Sequence, residues 1–256
     1  MTSEDFMFWH LREKNGLKYL VFEGWNGVRV FYSTRIGGIS PSPYDTLNLH
    51  FGRGDTHNNV KLNRKRFFDA VSIDEKDVVY TEQTHSDIVN IVRGSSKKLK
   101  GDGLITVKKG LFLGVFTADC LAVFLYCQSK KVIGVVQSGR RSDEKGIVKK
   151  GISELCETFD IKAENIEALF GPSIGPCCYK VGNDFQKRFN KRYLIEREKN
   201  LYLDMWRMVR DQLEESGVKK ILVPEICSFS RNDFFYSYRK SGERVGENLG
   251  IIGVKA

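Results

Sequence analysis

Histidine occurs only at positions 10, 50, 57 and 85 of the 256 residues, so acid–base or metal chemistry has few places to stand. His85 is set apart by its company. It follows a β-branched run within Gln83-Thr84-His85-Ser86-Asp87, where polar groups gather at a strand terminus. His10 and His57 read as surface residues, and His50 follows Leu47-Asn48-Leu49. A second cluster, Thr117-Ala118-Asp119-Cys120, interrupts an otherwise apolar stretch. Polar groups left unpaired there would cost on the order of 2–7 kcal/mol each, so they must have partners. A cysteine paired with a histidine has the makings of a nucleophilic dyad. A third cluster, Gln137-Ser138-Gly139-Arg140-Arg141, ends an apolar run just before a helical pattern. Helix N-termini at strand ends hold anions through free N–H groups and the dipole. Arg35, ahead of Gly37-Gly38, could present a guanidinium and turn N–H groups to phosphate. Two Gly-Pro steps in Gly171-Pro172-Ser173-Ile174-Gly175-Pro176 stiffen the approach to the vicinal thiols Cys177 and Cys178. Such a pair packs as plain thiols, closes a strained disulfide or ligates a soft metal.

The elements that must position these groups are mostly strands. Runs rich in Val, Ile, Phe and Tyr predict strands over 19–23, 28–33, 78–83, 88–92, 103–107, 111–117, 121–126, 132–137, 166–170, 221–223 and 234–238. Helical spacing of apolar residues predicts helices over 59–71, 142–159 (with Ser142 as N-cap) and 204–216. Many strands against few helices argue for an α+β fold, a single domain with mixed β-sheets flanked by helices.

Composition narrows the class. With 41% hydrophobic and 29% charged residues the chain reads as globular rather than disordered. A net charge of +9 favours anionic partners. The densest basic run, 187–199, also carries Glu196 and Glu198 and reads as a mixed helical face, so nucleic acid is not expected. The apolar stretch 111–127 is broken by Asp119 and reads as two buried strands, which leaves no membrane span. Six cysteines without a CxxC pair, and a first segment without an apolar leader, suggest free thiols in the cytoplasm.

Taken in order, the motifs resemble the YfiH family, also called the multicopper polyphenol oxidase (laccase) domain or peptidoglycan editing factor family. Its members are described as purine nucleoside phosphorylases with adenosine deaminase activity. The resemblance runs from about residue 28 to 256. It rests on STRIGGIS from Ser33, LNL from Leu47, NR from Asn63, QTHS from Gln83, ADC from Ala118, GPSIGPCCYKVG from Gly171, LDMW from Leu203 and FFYSYR from Phe234. It implies a YfiH-like cysteine hydrolase fold spanning 1–256. The family's metal ligands are a His after Gln-x-His, the Cys of Ala-Asp-Cys, and the His opening His-Ala-Gly-Trp-Arg-Gly. The first two match His85 and Cys120, whereas the third position holds Gln137. Arg140 stands in place of the tryptophan, Arg141 keeps the arginine, and Ala122 replaces a usual proline.

The resemblance thus implies catalysis by His85, Cys120 and Gln137, with zinc or copper on His85 and Cys120 held weakly or not at all. Arg35, Arg141 and Asn48 would bind nucleoside and phosphate. The implied reaction is phosphorolysis of adenosine- or inosine-type nucleosides, with adenosine deamination as a second activity. A carboxamide is a poor zinc ligand, since zinc prefers imidazole and thiolate. Two other chemistries therefore stay open for the same pocket: a metal-free Cys–His hydrolase or transferase, and a nucleoside- or protein-binding chain without catalysis. Two or three ligand positions give multicopper laccase chemistry little support.

Overall fold

The computed structural model describes residues 5–94 and 99–255. Among these, the strands form three sheets. The first has eight strands in the order Asp5–Phe6, Trp9–Lys14, Leu17–Phe22, Val28–Ser33, Asn248–Val254, Phe112–Thr117, Val78–Glu82, Leu99–Lys100. The second has six, in the order Lys220–Leu222, Ile166–Phe170, Leu121–Cys127, Val132–Ser138, Gly103–Thr106, Val89–Ile91. A small third sheet joins Lys180–Val181, Asn200–Leu203 and Leu194–Arg197.

Alternation along the strands decides the layering, because successive side chains point to opposite faces. Phe124 and Tyr126 face the eight-stranded sheet and pack with Val30, Tyr32, Val115 and Ile252 in a core between the two sheets. Their neighbours Val123 and Leu125 face the other way, onto Ile152, Leu155, Met208 and Val209 of helices Ile147–Phe159 and Met205–Glu215. On the outer face of the eight-stranded sheet, Phe31, Phe112 and Ile251 meet Phe67, Phe68 and Val71 of helix His57–Val71. The result is four layers, helix–sheet–sheet–helix, an α+β architecture with mixed sheets as expected.

Several elements depart from the sequence expectation. The expected helix over 142–159 is two, Arg140–Glu144 and Ile147–Phe159, because Gly146 between them adopts a left-handed φ of 81°. Ser142 caps from inside the first of these: its hydroxyl accepts the N–H of Gly139, the N-cap residue. The expected strand 234–238 is a turn whose rings sink into the core, with Phe235 N–H donating to Arg231 O. The basic run 187–199 is no helical face, since it holds the strand Leu194–Arg197. No helix among the described residues is long and apolar enough to cross a membrane.

What positions the site is a set of crossings between the two large sheets. Residues 118–120 join Phe112–Thr117 of one sheet to Leu121–Cys127 of the other. Residues 83–88 make the same passage from Val78–Glu82 to Val89–Ile91, and residues 101–102 make it from Leu99–Lys100 to Gly103–Thr106. His85, Asp102 and Cys120 each lie on one of these passages.

Candidate active site

Two of the three crossings are tied together by Asp102, a fully buried carboxylate. Its Oδ2 accepts the N–H of Thr84 at 3.2 Å, the N–H of Ser86 at 2.7 Å and the Ser86 hydroxyl at 2.7 Å. Its Oδ1 accepts the N–H of His85 at 3.0 Å. Three consecutive N–H groups thus form a nest around one anion. The nest accommodates His85 in a left-handed conformation, φ 55°. Sequence reasoning missed Asp102. The available signal was an acidic residue between two glycines, Gly101 and Gly103, at the head of an apolar strand.

On the neighbouring crossing Asp119 is also left-handed, at φ 94°, a conformation that costs a non-glycine residue on the order of 1–3 kcal/mol. Local bonds hold it there. Its carboxylate accepts the Ser228 hydroxyl at 2.7 Å and the Arg239 N–H at 2.6 Å, and its carbonyl accepts the N–H of Ile174 at 3.0 Å. Burial pushes the Asp119 carboxyl above its ordinary range.

The turn delivers Cys120 Sγ to 3.7 Å from His85 Nε2, a hydrogen-bonded contact between the two residues singled out in the sequence. Cys120 is half-buried. Burial pushes its pKa up to about 12, and the charges of Asp119, Asp143, Glu247 and Asp102 add to the effect. Both effects favour the thiol over the thiolate. Gly139 closes the site from the third side: a Cβ there would lie 2.6 Å from Cys120 Sγ and 3.4 Å from His85 Cδ2, so only glycine leaves room for the pair.

Gln137 is buried in strand Val132–Ser138, opposite Ala122, and its N–H donates to Asp102 O at 2.7 Å. Its backbone is thereby joined to the crossing that holds His85. Among the described residues, no hydrogen bond joins its carboxamide to His85 or Cys120. Nor does a third His, Cys, Asp or Glu complete a metal-ligating group with that pair. Two donors and a carboxamide do not fit a three-ligand zinc or copper centre.

The three residues expected to bind substrate are placed differently. The Asn48 amide donates to His50 O and Asp55 Oδ2, while its oxygen accepts the N–H groups of His50 and Glu247. All four of its hydrogen-bonding positions are spent on the protein, so it braces a loop. Arg35 is likewise engaged. Its guanidinium donates to Asp45 O, Asp45 Oδ2 and Asn232 O, and stacks 4.8 Å from the Tyr236 ring centroid. Arg141 is exposed.

A cationic pocket of about 600 Å³ lies instead around Tyr179, with Arg140, Arg188 and Arg239 in its wall. Arg188 is neutralised by Glu144 at 2.6 Å and by Asp184. Arg140 has no ion pair among the described residues and lies over the Phe185 ring. Arg239 lies over Tyr179 and donates to Lys180 O. Burial raises the Tyr179 hydroxyl to about 12. The Arg239 N–H that donates to the Asp119 carboxylate ties this wall to the crossing that carries Cys120. A larger hollow of about 770 Å³ has walls whose charges pair with one another, Arg192 with Glu215 and Arg188 with Glu144, and it holds no thiol.

Comparison with known proteins places the sequence and the fold. The chain is 33% identical over 221 residues to the purine nucleoside phosphorylase YfiH of Shigella flexneri, covering 84% of this chain and 89% of that protein. It is 36% identical over 216 residues to a purine nucleoside phosphorylase of Aquifex aeolicus, covering 83% and 97%. The crystal structure of the Bacillus licheniformis hypothetical protein YfiH superposes with a TM-score of 0.89 at 27% identity, covering 96% of this chain and 99% of that one. YlmD from Geobacillus stearothermophilus superposes with a TM-score of 0.87 at 25% identity, covering 96% and 98%. Residues 29–255 match the family described as multi-copper polyphenol oxidoreductase laccase, and the chain belongs to that family.

Proposed function

We propose that this chain is a purine nucleoside phosphorylase-like enzyme that seats phosphate against Arg140 and Arg239 and the nucleoside beside Tyr179 and the Cys120–His85 pair. The observation that carries this reading is the cationic pocket walled by Arg140, Arg188 and Arg239, whose carboxylate Asp184 pairs with Arg188. The pocket thus offers cations to an anionic substrate and no free carboxylate as nucleophile. Phosphorolysis matches that inventory because phosphate brings the nucleophile. A phosphate oxygen bonds to the ribose C1′ as the bond from C1′ to the purine nitrogen breaks. The electron pair of that bond passes to the base, which takes up a proton relayed from solvent by the His85 imidazole. The products are ribose 1-phosphate and free purine. The arginines hold the phosphate dianion in place for attack, as guanidinium forks do.

The alternatives draw less support. A Cys–His hydrolase needs a thiolate, which burial first and the neighbouring acidic groups second disfavour at Cys120. Deamination of adenosine needs an activated water, and two donors with a carboxamide are a poor means of activating one. The relatives' names support the phosphorylase reading without specifying a base.

The test is a panel of inosine, adenosine and guanosine with and without phosphate, on protein of measured metal content. Base release should require phosphate and yield equimolar ribose 1-phosphate, and Arg140→Ala should raise the KM for phosphate. Base release at the same rate without phosphate would refute the reading.

A further inference from the structure

A second set of reactive side chains lies outside the Cys120–His85 pair. The sulfurs of Cys177, Cys178 and Cys227 all lie within 4.8 Å of one another, on the loop after strand Ile166–Phe170 and on the segment that bridges to it. All three are free thiols. They form the only such group of three metal-ligating side chains among the described residues. We propose that Cys177, Cys178 and Cys227 form an all-sulfur site for one soft monovalent cation, Cu(I).

The donor set selects the ion. Three sulfurs without imidazole or carboxylate favour a soft metal. Zinc in a closed site takes four ligands, and among the described residues no fourth His, Cys, Asp or Glu joins the group. An ion about 2.3 Å from each sulfur in a trigonal plane sets the sulfurs about 4 Å apart, so the group needs to close by less than about 1 Å. Burial is graded from exposed Cys177 through half-buried Cys178 to buried Cys227, which gives the ion a way in from solvent.

The loops that carry the thiols are already tied together. Ser173 N–H donates to Ile226 O and Ser228 N–H to Ser173 O, which clamps the two segments side by side. The Trp206 indole N–H donates to the Ser173 hydroxyl at 2.7 Å, and the Arg197 guanidinium donates to Pro176 O. Gly175 N–H donates to Cys227 Sγ at 3.3 Å, a bond that favours the thiolate. Binding displaces three thiol protons and leaves a complex of net charge −2, which the nearby Arg197 partly offsets.

The experiment is a competition titration of the reduced full chain with Cu(I) under anaerobic conditions against a chromophoric Cu(I) chelator, with X-ray absorption on the product. Wild type should take up one Cu(I) with a shell of three sulfurs, and Cys120→Ala should do the same. Cys177→Ser changes an exposed position and so leaves the fold intact, as circular dichroism can verify. It should weaken Cu(I) binding by at least about tenfold, since loss of an outer-shell partner alone costs roughly 10- to 100-fold. No uptake by wild type, unchanged affinity in Cys177→Ser, loss of uptake in Cys120→Ala, or displacement of Cu(I) by equimolar Zn(II) would each overturn the assignment.

Discussion

Replacing Asp102 by Asn preserves the shape of the side chain that joins two of the crossings and removes its charge. Asp102 is fully buried and accepts four hydrogen bonds, three of them from consecutive backbone N–H groups. In the favoured orientation the Asn oxygen would keep the three donors now on Oδ2, and the amide nitrogen would face the His85 N–H donor against donor. One charge-assisted bond, about 1.5–3 kcal/mol, is then lost, and the three that remain weaken toward the neutral range of about 0.5–1.5 kcal/mol each. The expected destabilisation is about 3–5 kcal/mol, a large share of the 5–15 kcal/mol typical of a folded domain. Guanidinium unfolding should show this as a fall in midpoint at unchanged slope. At low denaturant the His85 ring resonances should move, because the N–H group left without an acceptor belongs to His85 itself. A loss below about 1 kcal/mol with unmoved His85 resonances would show that the nest is not what holds the imidazole, and the account of the site would fail.

Gly139→Ala puts a methyl 2.6 Å from Cys120 Sγ. It should destabilise by about 1–3 kcal/mol and abolish turnover by prising the pair apart, with crystallography reading the separation. Asp143 is buried, with its pKa raised to about 7, and accepts a hydrogen bond from the Ser138 hydroxyl. A carboxyl with a raised folded-state pKa contributes stability that is fully present below its unfolded value near 4 and is lost as pH rises through about 7. Asp143→Asn should therefore match wild type near pH 4 and exceed it near pH 8, by at most roughly 4 kcal/mol, in unfolding curves across pH. Arg35→Ala removes three hydrogen bonds and a ring contact. It should cost about 2–4 kcal/mol while leaving the KM for phosphate unchanged, the reverse of Arg140→Ala.

The parts of this molecule legible in the sequence were those where local pattern and tertiary role coincide. Strands Val28–Ser33 and Ile166–Phe170 carry dense β-branched and aromatic runs and lie where those runs predict. Asn248–Val254, a central strand of the large sheet, escaped because Gly250 and Gly253 dilute its β signal. Those glycines are there for tertiary reasons. A Cβ on Gly250 would lie 2.8 Å from the Phe124 ring, and one on Gly253 would lie 2.1 Å from Phe112, so bulk comes from the neighbours. The aromatic run at 234–238 misled in the opposite sense, with β-forming residues used to fill a turn. At the site, the polar clusters around His85 and Cys120 stood out because they interrupt apolar runs, and the structure brings these two residues into contact. Arg239, the Asp102 nest and the Cys227 partner of the vicinal thiols were invisible because each acts across more than fifteen residues of sequence, with no local pattern to mark it.

The crossings between sheets also bear on how the chain acquires its site during folding. A hairpin such as Leu121–Cys127 with Val132–Ser138 closes over a short loop and can form early. The complete site cannot. His85 and Cys120 follow adjacent parallel strands of the eight-stranded sheet, but Asp102, which holds the His85 backbone, and Gly139, which closes on the pair, flank strands of the other sheet, so the site is complete only once both sheets have docked. Activity should therefore recover in refolding later than strand-specific amide protection, with no partly folded species able to turn over substrate. Relative sliding of the sheets in the native state would shift Gly139 and the Asp102 nest about the pair while the ladders within each sheet stayed intact, which makes turnover a more sensitive gauge of inter-sheet packing than any spectroscopic measure of β-structure.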